Sequence, residues 1–325
     1  MKKIIFSLLI LGQMSFAQQA VEVMPPAEAY ARSISLENLK EHLFTLASDE
    51  YEGRKTGEKG QKMAAEYIRD FYKKHNIPAL PGTEDYFQFV PSKFMKRLFS
   101  HTLNDSENVI AYLKGSGLPE EYIVISAHYD HIGMSNNEIF NGADDNASGT
   151  TGILELARIL KKASDEGFLR RSVIFLHCTG EEYGLHGSRY FSQNSLIPLE
   201  TIKANFNIDM IGRIDYKYKD NGDYLYLVGS LDEGKHLYQF AEDASKYFVN
   251  LTLDYTYDDR KHPEKIFYRS DHYNFARHGI PVLFFYSGEH DDYHQATDTA
   301  DKIEYDTMKK RLHLIFHTIW KTINQ

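Results

Sequence analysis

From Tyr122 onward, long apolar runs alternate along the chain with segments of mixed polarity. Five runs have the length and composition of buried strands: residues 123–127, 173–177, 206–208, 224–228 and 282–286. Between and after them, apolar residues at every third or fourth position predict helices: residues 149–162, 187–193, 231–247, 271–278 and 305–323. Strands without a polar face that alternate with helices are typical of α/β proteins, in which helices cover both faces of the sheet.

The chain before Tyr122 has a less regular pattern. Apolar spacing predicts helices at residues 35–46 and 61–74, and strand signals occur at Tyr86 and at residues 108–112. Residues 48–60 read as a polar loop in which Arg54 and Thr56 fit either a functional loop or a structured surface turn. Because no Pro-, Gly- or Ser-rich linker divides the chain, we expect one domain over residues 18–325.

The first 17 residues are expected to be a signal peptide. Lys2 and Lys3 precede an apolar run over residues 4–11, and the small-x-small triplet at residues 15–17 suits cleavage before Gln18. The apolar run is shorter than the roughly 20 residues that span a bilayer. We therefore expect an exported protein, periplasmic or extracellular, without stable membrane insertion.

Composition excludes several kinds of partner and cross-link. The 325 residues carry a formal net charge of −9, which argues against nucleic acid as a partner because phosphate binding requires clustered Lys and Arg. Cys178 is the single cysteine, so the chain forms no internal disulfide. Its position at the end of an apolar run predicts a buried thiol.

Acidic and histidine residues follow four of the predicted strands at their carboxyl ends. Open α/β sheets place their ligands at this edge. The residues, in chain order, are His128, Asp130 and Asp145 after the first strand, Glu181 and Glu182 after the second, Asp209 after the third and His294 after the fifth.

Each of these positions has a plainer interpretation. A single Asp after a strand is more often a helix cap or a loop acceptor than a metal ligand, and Glu181 and Glu182 could be a solvated pair. Their joint occurrence at strand ends favours a metal site. Adjacent carboxylates that leave a strand point to different sides, so one can bind metal while its neighbour contacts a bound water molecule.

The residue types favour zinc in a catalytic setting. Imidazole and carboxylate together suit zinc, whereas Mg²⁺ and Ca²⁺ take oxygen ligands. The absence of thiolates argues against a structural zinc site. Five candidate ligands exceed the need of one catalytic ion, so two ions that share a bridging carboxylate are the simplest arrangement.

Six motifs in this order resemble those of the secreted di-zinc aminopeptidases, the bacterial leucyl aminopeptidase and aminopeptidase S type. They are HYDH, NGADDNASGTTGILELAR, CTGEEYGLHGSRYF, NIDMIGR, YRSDHYNFARHGIP and YHQATDT. The upstream segments SDEYEGRKTGEKGQKMAAEYI and NVIAYLKGS are similar to this family as well, so the resemblance covers most of the mature chain. It implies a single α/β domain with a mixed, mostly parallel central sheet.

The resemblance also implies a role for each candidate residue. Asp145 would bridge two Zn²⁺ ions, because the family's bridging Asp directly precedes the Asn-x-Ser-Gly turn. His128 and Asp209 would bind one ion, and Glu182 and His294 the other. For the remaining residues it implies a general base at Glu181, an orienting partner of His128 at Asp130, an oxyanion donor at Tyr293 and a substrate contact at Arg269.

The expected activity is hydrolysis of the amino-terminal bond of peptides or proteins that have a free N-terminus. A glutaminyl cyclase with one zinc ion is the nearest alternative, and a carboxypeptidase that releases glutamate is another. A binding protein on an inactive peptidase scaffold is a third, although such proteins have lost metal ligands and this chain retains all five.

Overall fold

The computed structural model describes residues 26–95, 103–219, 221–229 and 234–325. The expected signal peptide, residues 1–17, lies outside them. The described α-helices are α1 Pro26–Ala31, α2 Leu36–Leu46, α3 Lys59–Lys74, α4 Gly149–Asp165, α5 His186–Gln193, α6 Lys235–Ala244, α7 His272–Ala276 and α8 Tyr305–Asn324. The described strands are β1 Phe87–Val90, β2 Ser106–Leu113, β3 Leu118–His128, β4 Gly133–Ser135, β5 Glu138–Phe140, β6 Arg171–Cys178, β7 Ile202–Ile208, β8 Tyr224–Gly229, β9 Thr252–Asp254 and β10 Val282–Tyr286.

Eight strands form one sheet in the order β1-β2-β6-β3-β7-β10-β8-β9. The four central strands β6, β3, β7 and β10 are parallel to one another, while β2 pairs antiparallel with β6 and β8 antiparallel with β10. Strands β4 and β5 form a separate hairpin. The prediction of an α/β fold with a mixed, mostly parallel central sheet is confirmed.

Both faces of the sheet are covered by helices, which explains why the central strands have no polar side. Along β3, Ile123 and Ile125 join the core that contains α2, α3, α4, α6 and α8. Val124, which points to the other face, packs in a second core with Phe191 of α5 and Phe275 of α7. Cys178 belongs to this second core, so the prediction of a buried thiol is confirmed.

The predicted elements of the second half all occur, with ends that differ by a few residues. Strand β3 begins at Leu118, before the predicted residue 123. Helix α6 ends at Ala244, and a π-helical segment, Ser245–Val249, continues it past the predicted end at residue 247. Helix α1, strand β9 and the hairpin were not predicted because they are too short to show a period. None of the helices in the described ranges is both long enough and apolar enough to cross a membrane.

Candidate metal centre

The sheet brings the candidate ligands to one edge. Strands β3, β6, β7 and β10 run parallel side by side, so their carboxyl ends meet there. His128 is the last residue of β3, and Asp209 directly follows β7. Glu182 lies in the loop after β6 and His294 in the loop after β10. Asp145 comes from the turn that precedes α4.

The five predicted ligands form two donor clusters that share Asp145. In the first cluster, His128 Nε2 lies 3.2 Å from Asp145 Oδ1 and 3.3 Å from Asp209 Oδ1. In the second, His294 Nε2 lies 3.0 Å from Asp145 Oδ2 and 3.2 Å from Glu182 Oε2. The two oxygens of Asp145 therefore face different histidines.

The spacing of these donors fits zinc. Ligands about 2.0–2.2 Å from a tetrahedral ion lie about 3.3–3.6 Å apart, close to the separations of 3.0–3.3 Å within each cluster. The donors are almost entirely buried apart from His294, whose side chain is 37% exposed. Buried carboxylates need a compensating positive charge, which a dication between them supplies. The residues present therefore suit the ion that the sequence predicts.

The adjacent residues Glu181 and Glu182 point into different surroundings. Glu182 joins the second cluster, whereas Glu181 lines a cleft beside His128, Asp145 and Asp209. Burial and the neighbouring carboxylates raise the pKa of Glu181 well above its usual range. Glu182 therefore lies among the metal donors, while Glu181 lies in the cleft next to the first cluster.

Asn146 fixes the turn that carries Asp145. Its amide Nδ2 donates to the carbonyl of Ile208 at 3.0 Å, and its Oδ1 accepts from the backbone N–H of Gly149 at 2.9 Å and of Met210 at 3.2 Å. Because Ile208 and Met210 flank Asp209, these bonds fix the separation of the carboxylates of Asp145 and Asp209.

Asp144 points away from both clusters. Its Oδ1 accepts from the backbone N–H of Gly212 at 2.6 Å, and its Oδ2 lies 3.3 Å from His290 Nε2. The backbone N–H groups of Asp144 and Asp145 both donate to the carboxylate of Asp298. Of the two adjacent aspartates, the structure brings Asp145 to the donor clusters.

Asp130 contacts His128 mainly through its main chain. His128 Nδ1 lies 3.1 Å from the carbonyl oxygen of Asp130 and 3.9 Å from its carboxylate. The carboxylate instead accepts from the hydroxyl of Thr56 and, at 3.3 Å, from the backbone N–H of Glu181. Burial raises the pKa of Asp130 to about 6. This residue therefore connects His128, the loop before α3 and the loop of Glu181.

Two neighbours of the ligands were not assigned a role from the sequence. His131, buried beside the second cluster, has its Nδ1 2.6 Å from Glu182 Oε1. Ser270 donates to Asp209 Oδ2 at 2.6 Å and accepts from the side chain of Asn207 at 2.7 Å. The only sequence signal for either residue is its place in a motif, HYDH or YRSDH, because contacts between separate loops leave no periodic pattern.

The segment before α3 is not a surface turn. Arg54 is 1% exposed and Thr56 is fully buried, so that interpretation is wrong. The Arg54 guanidinium donates to four backbone carbonyls, those of Leu46, Tyr129, Asn141 and Gly142. It therefore joins the end of α2, the residue after β3 and the residues just before the ligand-bearing turn, and burial lowers its pKa to about 10.

A cleft opens beside the first cluster. Its apolar wall is formed by Met210, Ile266, Phe284 and Tyr286. Tyr293 also lines the cleft, and its hydroxyl accepts from Arg269 Nη2 at 3.2 Å. Arg269 Nη2 in turn lies 2.9 Å from Glu289 Oε1.

The family model of peptidase family M28 matches residues 108–319, well over half of the sequence. The chain belongs to peptidase family M28. The resemblance to zinc aminopeptidases that the motifs indicate is confirmed at the level of the family. The chain is thus a hydrolase of peptide bonds.

Two relatives match most of this chain in sequence. The uncharacterized protein YfbL of Escherichia coli (strain K12) is 26% identical over 347 residues, which cover 95% of each chain. Aminopeptidase YwaD of Bacillus subtilis (strain 168) is 27% identical over 238 residues, which cover 70% of this chain and 47% of YwaD. The match therefore spans about half the length of that aminopeptidase.

Solved structures share the fold of this M28 chain. BSAP, a zinc aminopeptidase from Bacillus subtilis, aligns with a TM-score of 0.66 at 18% identity over 90% of this chain and 96% of its own. The glutaminyl cyclase of Porphyromonas gingivalis aligns with a TM-score of 0.66 at 17% identity over 89% of this chain and 99% of its own. At such identities the similarity establishes the fold alone.

Proposed function

We propose that this M28 peptidase is an exported aminopeptidase that binds two zinc ions and releases the amino-terminal residue of a peptide. The observation that carries the proposal is the position of Asp145, whose two oxygens face the histidines of two donor clusters. One carboxylate that serves both clusters suits two metal ions acting together. His128 and Asp209 complete one zinc site, and Glu182 and His294 complete the other.

When bound, the two ions supply the Lewis acidity that lowers the pKa of water and polarises the scissile carbonyl. Glu181 lines the cleft next to the first donor cluster and acts as the general base. It takes a proton from the attacking water and returns it to the leaving amine, a contribution of about 10²–10⁴-fold. Tyr293 accepts a hydrogen bond from Arg269. Its own hydroxyl donates a hydrogen bond to the carbonyl oxygen on which negative charge develops.

Cleavage at the amino end is supported by the cleft and by a relative. The cleft offers a substrate side chain the apolar wall of Ile266 and Phe284 beside the first donor cluster. YwaD, the relative that matches 70% of this chain, is an aminopeptidase.

A hydrolysis screen tests the proposal. Matched peptides with a free or an acetylated amino end are incubated with the purified enzyme, with and without a chelator. We expect cleavage of the free peptides alone, loss of activity with the chelator, its return on adding Zn²⁺, and two zinc ions at the donor clusters. Cleavage of both peptide sets, or activity that survives complete metal removal, would contradict it.

Export is proposed from the amino-terminal sequence. Residues 1–17 have the charged start, apolar stretch and small-residue cleavage site of a signal peptide. Amino-terminal sequencing of the protein recovered outside the cytoplasm is expected to begin at Gln18. A recovered protein that begins at Met1 would refute cleavage at this site.

A glutaminyl cyclase is the second candidate, because the solved cyclase of Porphyromonas gingivalis shares the fold over 89% of this chain. The cyclases work with one zinc ion, so they do not need a carboxylate between two histidines, as Asp145 is here. A peptide that begins with glutamine separates the two activities. Pyroglutamate formation without release of glutamine would favour the cyclase.

A further inference from the structure

A third group of metal-binding side chains lies outside the candidate centre, where helix α1 packs on helix α8. Glu28 comes from α1, and His313 and His317 are four residues apart on α8, so their side chains lie on the same face of that helix. One donor atom from each residue falls within a group no wider than 4.8 Å. None of the three is a donor of the candidate centre or lines its cleft.

Both imidazoles converge on one carboxylate oxygen. Glu28 Oε2 lies 2.9 Å from His317 Nε2 and 3.2 Å from His313 Nε2. These separations are close to the spacing of about 3.3 Å between two ligands of a tetrahedral zinc ion. The other oxygen, Oε1, accepts from Arg32 Nε at 2.6 Å and leaves Oε2 to the histidines.

We propose that Glu28, His313 and His317 form a separate divalent-metal site that binds zinc and fastens helix α1 to helix α8. Two imidazoles and one carboxylate are the donor set that zinc takes when one coordination position is left to water. The set contains too few oxygens for Mg²⁺ or Ca²⁺.

Contacts around the three ligands hold them in place. The ring of His317 stacks on Phe248 with centroids 3.7 Å apart and planes 5° from parallel, and His313 stacks on His317 at 5.2 Å. Arg32 orients the carboxylate of Glu28 from outside, as hydrogen-bonded neighbours commonly do for metal ligands. Side chains fixed in this way lose little conformational freedom when an ion binds.

The site is protected yet reachable. His317 and Glu28 are 5% and 9% exposed, and His317 also lines a surface groove with Trp320 that gives an ion access from solvent. Because Glu28 lies 285 residues before His313 and 289 before His317 in the sequence, the ion would link the two ends of the described chain.

The number of zinc ions per chain, compared between the parent enzyme and a variant that lacks one of the three ligands, tests the proposal. The zinc-loaded enzyme and its His313→Ala variant are dialysed against the same micromolar free Zn²⁺ and analysed by mass spectrometry. We expect the variant to hold one ion fewer while its peptide hydrolysis is unchanged. His278→Ala, which removes an exposed imidazole beyond α7, is the matched control and should keep the parent's count.

Thermal unfolding gives a second readout of the same site. In protein whose two donor clusters are already loaded, further Zn²⁺ at roughly 100 times its dissociation constant for the third site should raise the Tm of the parent by about 5 °C. This further shift should be absent in His313→Ala. If His313→Ala does not fold, Glu28→Gln removes the anionic ligand and retains a hydrogen-bond acceptor. Equal zinc content in the parent and in a folded variant would overturn the proposal, because the histidines then only hydrogen bond to Glu28. That result would leave the activity screen unaffected.

Discussion

His131 Nδ1 lies 2.6 Å from Oε1 of Glu182, on the side of the carboxylate away from His294. Each carboxylate oxygen of Glu182 therefore contacts a different histidine, Oε1 contacting His131 and Oε2 contacting His294. Burial excludes water from this pair, so His131 is the partner that fixes the direction of Oε2 toward the second donor cluster. Such neighbours of metal ligands strongly affect affinity for the ion.

Replacing His131 by Ala should weaken zinc binding at the second cluster by about 10–100-fold, because Glu182 loses the donor that orients it. Competition with a chromophoric chelator measures the loss. His131→Asn is the matched control, because its amide N–H can take the place of Nδ1 and should recover most of the affinity. Undiminished affinity in His131→Ala would show that the contact does not orient Glu182.

Changing Glu181 and Glu182 separately should separate proton transfer from metal binding. Glu181→Gln should retain zinc and lose about 10²–10⁴-fold in kcat, because the amide cannot accept the proton of water. Glu182→Gln should instead lower the zinc content. Metal analysis and hydrolysis of an aminoacyl anilide are measured on both proteins. A kcat near that of the parent in zinc-loaded Glu181→Gln would disprove its role as base.

Arg54→Met should reduce the free energy of unfolding by at least about 3 kcal/mol, because four buried carbonyls lose their donor. Denaturant titration in the presence of a chelator measures this loss without a contribution from metal. Arg54→Lys should fall between the parent and Arg54→Met, since an ammonium has three N–H donors for four acceptors. A loss below about 1 kcal/mol in Arg54→Met would mean that water replaces the guanidinium.

His177 should make the fold sensitive to acid. Burial lowers the pKa of His177 to about 3, whereas an unfolded histidine titrates near 6.5. Between these values the unfolded chain binds a proton that the folded chain does not, so the free energy of unfolding falls as the pH falls. His177→Gln should reduce this slope by up to about 1.4 kcal/mol per pH unit.

The slope is measured by urea titrations of metal-free protein from pH 4 to pH 7. Tyr72→Phe is the control, because it removes the hydroxyl 2.7 Å from His177 Nε2 and leaves the imidazole buried. That variant should be less stable at every pH and keep the parent's slope. An identical slope in the parent and in His177→Gln would show that His177 is already protonated in the folded chain.

Much of the fold could be predicted because the central strands are buried on both faces. Strand β10, at Val282–Tyr286, has the predicted bounds, and helix α8 differs from its prediction by one residue. Short elements could not be predicted. The hairpin β4–β5 has three residues in each strand, too few to show the two-residue alternation of a strand. Strand order depends on contacts between distant segments, which no local pattern contains.

The candidate ligands could be predicted because donor residues follow the strands directly. His128 ends β3 and Asp209 follows β7, so parallel pairing alone brings both to one edge of the sheet. The contacts that hold the ligand-bearing loops in place could not be predicted in the same way. Arg54 fitted either a functional or a surface residue, and its burial follows from the packing of three separate segments around it, at the end of α2, after β3 and after β5.

The sequence by itself determined the α/β class, the family motifs and the donor types, because these depend on local periodicity and on residue chemistry. The tertiary structure decided that Asp145 lies between His128 and His294 while Asp144 turns toward Gly212. It also brought Glu28 of α1 onto the histidines of α8. The physical reason is that such contacts are fixed by the packing of helices and loops on the sheet, which joins residues far apart in the chain.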